Sequence, residues 1–235
     1  IAAIVCCITL WPLIGLLGEG INGLKNGSVT LGIDGYRQIS GTFLLLVFTG
    51  LLGAIVGTSN GWLLANCRFP GRKLLRVAQL LPLATPAYLL SATLIDLGSI
   101  HSIRIYGIAW GVIIMALTTY PYVFLLSTES FAKCGRRQLE ACRSLGVGPW
   151  NSFRRVALPI AMPAIGAGVA LTSMEVINEL GAVQLLNIPS ISAGIVESWV
   201  TNGSPSGAIA LAFIGLAIVM VLIAYERKLR ARSRR

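Results

Sequence analysis

Six runs of mostly apolar residues, at 1–17, 41–65, 77–95, 105–128, 163–186 and 207–225, take up most of this sequence. A helix needs about 20 such residues to cross the hydrocarbon core of a bilayer, so each run is a candidate span, the first of them short. The runs are continuously apolar instead of alternating at period two, which points to helices and away from a barrel. The expected fold is all-α: a polytopic membrane bundle of about six transmembrane helices, forming a single domain over 1–235. Composition agrees, with 12% charged residues against about a quarter in an ordinary soluble domain.

The net charge of +10 alone would suit a nucleic-acid binder, but its placement gives it another meaning. Segments 66–76, 129–162 and 226–235 hold 4, 6 and 6 of the 19 Lys and Arg residues, while 18–40, 96–104 and 187–206 hold 2, 1 and 0. The two classes alternate from one loop to the next. By the positive-inside rule the first set is cytoplasmic, with both termini inside, and no nucleic-acid partner is expected. The tail 226–235 reads as a stop-transfer flank that can also touch anionic headgroups.

Several runs carry residues that a soluble helix avoids. Pro82 and Pro86 lie in LLPLATPAYLL, Pro121 in TTYPYVF, and Gly41, Gly50, Gly53, Gly57 and Gly61 run along the second span. Small residues let membrane helices approach closely, and proline kinks are tolerated inside a bundle; close packing and a gated path both fit. The chain opens on Ile1 without an initiator Met, as expected of a fragment or a processed product. Cys6, Cys7, Cys67, Cys134 and Cys142 form no C-x-x-C pair and are joined by a single histidine, so neither a disulfide framework nor a metal site is expected.

Residues 139–163, LEACRSLGVGPWNSFRRVALPIAMP, interrupt this pattern on the basic side. Leu139, Cys142 and Leu145 form one apolar stripe on a short helix, and Gly146 is a plausible stop. Pro149 suits the first turn of a second short helix, expected to end near Pro159. Two short helices about a rigid Gly148-Pro149 turn would offer a knob to a partner.

The spacing resembles the EAA loop of bacterial ABC-importer permeases, which reads Glu-Ala-Ala, three residues, Gly, nine residues, Ile-x-Leu-Pro. Here Glu140-Ala141-Cys142, Gly146 and Val156-Ala157-Leu158-Pro159 meet every interval, with Cys for the second Ala and Val for Ile. Residues 67–97, 140–165 and 174–199 look like fused ferric-iron permeases, and the stretch 69–88 most like their N-terminal half. The resemblance implies that Glu140, Ala141, Cys142, Gly146, Val156, Leu158 and Pro159 couple to a cytoplasmic ABC ATPase dimer, which alone uses ATP and Mg. It also implies a second permease half or copy, an external substrate-binding protein, and multi-pass residence in a bacterial inner membrane. No cofactor is implied for this chain. Thiamine, polyamine, sulfate and phosphonate permeases are alternatives to iron, and an ion-coupled secondary transporter is a more distant one.

Glu175 and Glu179 lie four apart in the fifth run, on one face if the helix is continuous. Intramembrane carboxylates are costly and default to a functional hypothesis; hard cations prefer such oxygens. Together with Asp96, at the end of the third run, they are the candidate substrate path. The alternatives are that Glu175 and Glu179 lie near the outer end, wetted or hydrogen-bonded to Asn178 and to a helix break at Gly181, and that Asp96 caps a helix or is solvated. His101 reads as an exposed spacer, and 187–200 as an outer re-entrant or interfacial segment. There is no phosphate loop and no cluster for nucleophilic catalysis, so the chain is not expected to be an enzyme.

Overall fold

The computed structural model describes residues 33–133, 148–203 and 205–233, with Trp11, Ile14, Gly15, Gly18, Ser144 and Gly146 as isolated positions. Most of the first apolar run, and Glu140, Ala141 and Cys142, lie outside the described residues. The elements are α1 (Ile33–Asn66), α2 (Arg72–Ala78), a 3-10 turn (Leu81–Ala84), α3 (Ala87–Ile100) and α4 (Ile108–Lys133). They continue as α5 (Pro149–Ser152), a π turn (Phe153–Ala157), α6 (Leu158–Asn178), α7 (Gly181–Leu185), α8 (Ile191–Val196), a π turn (Glu197–Thr201) and α9 (Pro205–Ser233). No strand occurs among the described residues.

Among the described residues, four helices are long and apolar enough to cross a membrane: Asp34–Asn66, Ile108–Lys133, Trp150–Asn178 and Pro205–Lys228. The pair Arg72–Ala84 and Ala87–Ile100, bent by 89°, passes the same test when taken together, as a candidate fifth span. The bend sits where the sequence places Pro82 and Pro86. Pro86 lacks the N–H that a continuous helix would use, and Thr85 before it is extended, at φ −101° and ψ 112°.

Two boundaries differ from the sequence reading. The second short helix does not end near Pro159; the chain runs as one helix from Trp150 to Asn178. Pro159 stands inside that helix, two residues past the π turn (Phe153–Ala157), where its missing N–H takes one bond out of the ladder without ending it. The fifth apolar run, expected as one span over 163–186, also breaks at Glu179, whose ψ of 119° is extended. Residues 181–185 form the separate helix α7.

The glycine stripe of α1 packs on α4. A Cβ on Gly53 would come 3.8 Å from the Tyr120 Cα, whereas one on Gly57 would come 2.8 Å from the Phe124 nitrogen. Gly61 meets Ser127 and Thr128, and the Ser127 hydroxyl donates to the Gly57 carbonyl at 3.3 Å. Both numbers rise together along this seam, so α1 and α4 run parallel. Against α4, α6 is antiparallel: Gly168 packs on Val123 and the Thr172 hydroxyl reaches the Thr119 carbonyl at 3.3 Å. With the direction alternating from span to span, Arg68, Arg72, Lys73, Arg76, Lys133, Arg154, Arg155, Arg227 and Lys228 gather at one end of the bundle. Arg37 and Arg104 lie at the other.

Candidate functional site

Near the end of the bundle that carries few cations, α6 stops. Glu175 is exposed in its last turn and Glu179 lies just past it. The two carboxylates therefore do not share one helix face. They nevertheless line the same pocket, of about 110 Å³, together with Pro82 and Thr85 of the broken span and Thr118 and Tyr122 of α4. No Lys or Arg is among its lining residues.

The break at Glu179 is held by its own hydrogen bonds. Glu179 Oε1 accepts the Ala182 N–H at 2.8 Å, supplying an acceptor to one of the free amides that open α7. Its backbone carbonyl accepts the Ser192 hydroxyl at 2.8 Å. Glu179 thus bonds to the start of α7 just past Gly181 and also lines the pocket. Thr118 and Thr119 donate back to carbonyls of their own helix, so their oxygens keep lone pairs as acceptors. The pocket is a half-open space of mixed lining: two carboxylates, three threonines and Tyr122 face Leu83, Met115, Val176 and the two prolines.

Asp96 does not join it. The helix runs on to Ile100, so Asp96 is exposed four residues short of the end and caps nothing; its carbonyl accepts the Ser99 hydroxyl at 2.6 Å. His101 is exposed just after α3, its Nδ1 3.0 Å from the Leu97 carbonyl. The pocket-lining roles of Thr85, Thr118 and Tyr122 were not foreseen. Thr118 and Tyr122 are four apart on α4, a polar stripe in an apolar run and the available signal.

A second, larger cavity of about 540 Å³ opens at the same end, with Asp34, Arg37, Gln184, Asn187 and Glu197 in its lining. It joins the start of α1 to the 183–201 segment, and the Gln38 side-chain amide donates to Glu197 at 3.3 Å across it. The segment 187–200, expected as re-entrant or interfacial, forms α8 and a π turn, with Trp199 exposed.

At the cation-rich end Gly146 has φ +72°, a left-handed conformation that glycine adopts without steric cost and that suits a helix stop. Val156 and Leu158 are half-buried, Pro159 is exposed and Ala157 is fully buried. Phe153 fixes this stretch to the bundle: its ring lies 4.8 Å from Trp62 of α1 and 6.1 Å from Phe131 of α4. Trp62 and Phe131 meet edge-on at 5.2 Å. Such aromatic pairs contribute about 0.5–1.5 kcal/mol beyond their buried area, so the base of the 129–162 segment is fastened to two spans.

The profile of the inner membrane component of binding-protein-dependent transport systems matches residues 50–235. The chain belongs to this family. Among relatives, it is 30% identical over 186 residues to the Fe(3+)-transport system permease protein FbpB 2 of Haemophilus influenzae, covering 79% of this chain and 36% of that one. It is 33% identical over 152 residues to the sulfate permease CysT of Escherichia coli, with 60% and 53% covered. Against the molybdenum permease ModB of E. coli the figures are 29% over 200 residues, with 76% and 86% covered. The chain thus spans about a third of FbpB 2 and about half of CysT. Among solved structures, a chain of the MetNI methionine ABC transporter in an inward-facing form superposes with a TM-score of 0.65 at 18% identity, covering 83% of this chain and 96% of the other. A chain of the bacterial alginate ABC transporter, in complex with its pentasaccharide-bound periplasmic protein, gives 0.68 at 14%, with 99% and 93% covered. The fold is that of an ABC-transporter permease, an integral membrane protein.

Proposed function

We propose that this chain is the membrane-spanning permease subunit, or one half of it, in a binding-protein-dependent ABC importer for ferric iron. A cytoplasmic ATPase dimer docks on the 129–162 loop, a second permease half or copy completes the path, and an external binding protein delivers the cargo. In this reading the cation-rich end faces the cytoplasm of a bacterial inner membrane, and ATP is hydrolysed only by the partner. Family membership supports the permease role, and the aromatic anchoring of Phe153 supports the coupling role: a push on the loop reaches α1, α4 and α6 through packed rings.

The sign of the pocket supports the cargo we propose. The relatives' named cargoes include iron, sulfate and molybdenum. Sulfate and molybdate are dianions, and a pocket with Glu175 and Glu179 and no lining cation would repel them. Trivalent iron is a hard acid that takes carboxylate, phenol and hydroxyl oxygens, the groups that Glu175, Glu179, Tyr122 and Thr118 offer. This acidic lining is the observation that carries the iron assignment.

The test is uptake by the complete transporter with its binding protein. Labelled ferric iron should accumulate in an ATP-dependent way, undiminished by excess sulfate or molybdate. Glu175→Gln with Glu179→Gln should slow it about ten-fold or more while ATPase association persists. Glu140→Ala and Gly146→Asp should abolish uptake without preventing insertion. Sulfate or molybdate uptake in place of iron overturns the cargo, and full uptake by the Gly146→Asp protein overturns the coupling role.

A further inference from the structure

Two side-chain amides stand alone in the apolar runs. Asn60 is the one Asn or Gln of the run 41–65, and Gln79 the one of 77–95. An amide taken into apolar surroundings without a partner is costly, and membrane helices use such groups to bond one another. These two find each other. The Asn60 Nδ2 donates to the Gln79 Oε1 at 3.3 Å, and both residues are half-buried. The bond crosses from α1 to the end of α2, where Gln79 follows the last helical residue.

We propose that Asn60 and Gln79 are positioning residues for transport: their bond sets the place of the 3-10 turn Leu81–Ala84, which walls the pocket holding Glu175 and Glu179. The inference rests on the permease reading of that pocket. Pro82, Leu83, Thr85 and Pro86 all line it, and Gln79 stands three residues before Pro82. The helical ladder fails along this stretch. Pro82 and Pro86 have no N–H to give, and Thr85 is extended. The Leu83 N–H donates to the Leu80 carbonyl and the Thr85 N–H to the Pro82 carbonyl, both at 3.1 Å, and the Thr85 hydroxyl donates to that same carbonyl at 2.8 Å. All three bonds are internal to the segment, so they shape the turn without fixing where it lies. The turn, all apolar, meets α4, and Leu75 and Leu80 pack beside Leu64, Tyr120 and Phe124. Such contacts hold the arm to the bundle but are non-directional. Two directional bonds tie it to α1. The Arg72 guanidinium donates to the Ala65 carbonyl at 3.2 Å where the arm begins, and Asn60 donates to Gln79 where the turn is about to start. On the far side Ala87 is buried in the cluster of Ile114 and Met115. The turn is thus slung between two anchors, and the Asn60–Gln79 bond is the polar one.

The experiment uses the full transporter in membranes with its binding protein, the five native cysteines replaced by Ser. A spin label is placed on Ala84→Cys, exposed in the turn, or on Ser99→Cys, exposed near the end of α3, and the line shape reports local mobility. Gln79→Leu should mobilise the label at 84 and leave the label at 99 as it was, and Asn60→Leu should do the same. Uptake is measured without labels, using whichever of labelled ferric iron, sulfate or molybdate the wild type accumulates. It should fall about three- to thirty-fold in each variant, the range expected of one interhelical bond in a membrane, at unchanged amounts of inserted protein. Asn60→Leu with Gln79→Leu should be no worse than either alone, because the same bond is lost in all three. Asn60→Gln with Gln79→Asn, which exchanges the two amides, should restore both the immobile spectrum and uptake. An unmoved spectrum at 84, equal mobilisation at 99, or losses that multiply in the double Leu variant overturns the proposal. The spectra need no cargo. Wild-type protein that accumulates none of the three ions therefore sinks the importer reading, while the line shape at 84 still decides the positioning role.

Discussion

Gly53 and Gly57 lie one turn apart on the same stripe, yet their surroundings differ. A methyl on Gly53 would make ordinary contact at 3.8 Å, while one on Gly57 would press to 2.8 Å on the backbone nitrogen of Phe124. Backbone cannot rotate aside as a side chain can. Gly57→Val is therefore expected to cost about 1–3 kcal/mol through overpacking and to lower the thermal midpoint in detergent, whereas Gly53→Ala leaves it within error. A comparable loss from both would mean that the seam is not the tight contact described. Glu179 separates charge from bonding in the same way. Its Oε1 serves the Ala182 N–H, and a Gln at that position keeps a carbonyl oxygen there. Hydrogen exchange at Ala182 should speed up in Glu179→Ala, by the equivalent of about 0.5–2 kcal/mol for a lost cap, and stay unchanged in Glu179→Gln.

At the level of elements, hydropathy reports how apolar a stretch is but not whether its backbone is continuous. That is why the positions of the spans beyond the first were legible while two of their boundaries were not. In the run 163–186, the stretch AVQLL after Gly181 is as apolar as what precedes it, so nothing marks Glu179 as an end except its own polarity. Pro159 reads as a stop, yet the helix continues through it beyond the π turn whose Phe153 packs on Trp62. At Pro82 and Pro86 the sequence allowed a kink within one span, and the structure makes of it a bend of 89°. Its consequence can be measured between spin labels at Lys73 and Ser99. A straight helix would separate the backbone positions by about 39 Å, against about 27 Å for two arms at a right angle. The wild-type chain should give the shorter distance, and Pro82→Ala with Pro86→Ala should lengthen it. An unchanged distance in that double variant would show that packing, not proline, makes the bend. The acidic pocket was half legible: both carboxylates were singled out, but their partners Thr85, Thr118 and Tyr122 come from distant spans, and no local pattern announces that meeting.

For the whole molecule, the alternation of basic and non-basic loops became a bundle with most of its described cations at one end. Cys67 is exposed at that end, at the foot of α1. With the other four cysteines changed to Ser, an impermeant maleimide should label it in inverted membrane vesicles and not in intact cells; labelling from outside would reverse the orientation. The parallel pairing of α1 with α4 has a further consequence, in time instead of space. Gly57 and Phe124 are 67 positions apart, and the whole broken span must be made before they can meet. At about 5–20 residues per second of synthesis, α1 waits roughly 3–13 s for its partner. During that interval its bare glycine groove faces lipid or whatever protein escorts the nascent chain, so the seam that holds the finished bundle together is also the surface that must be chaperoned while the chain is born.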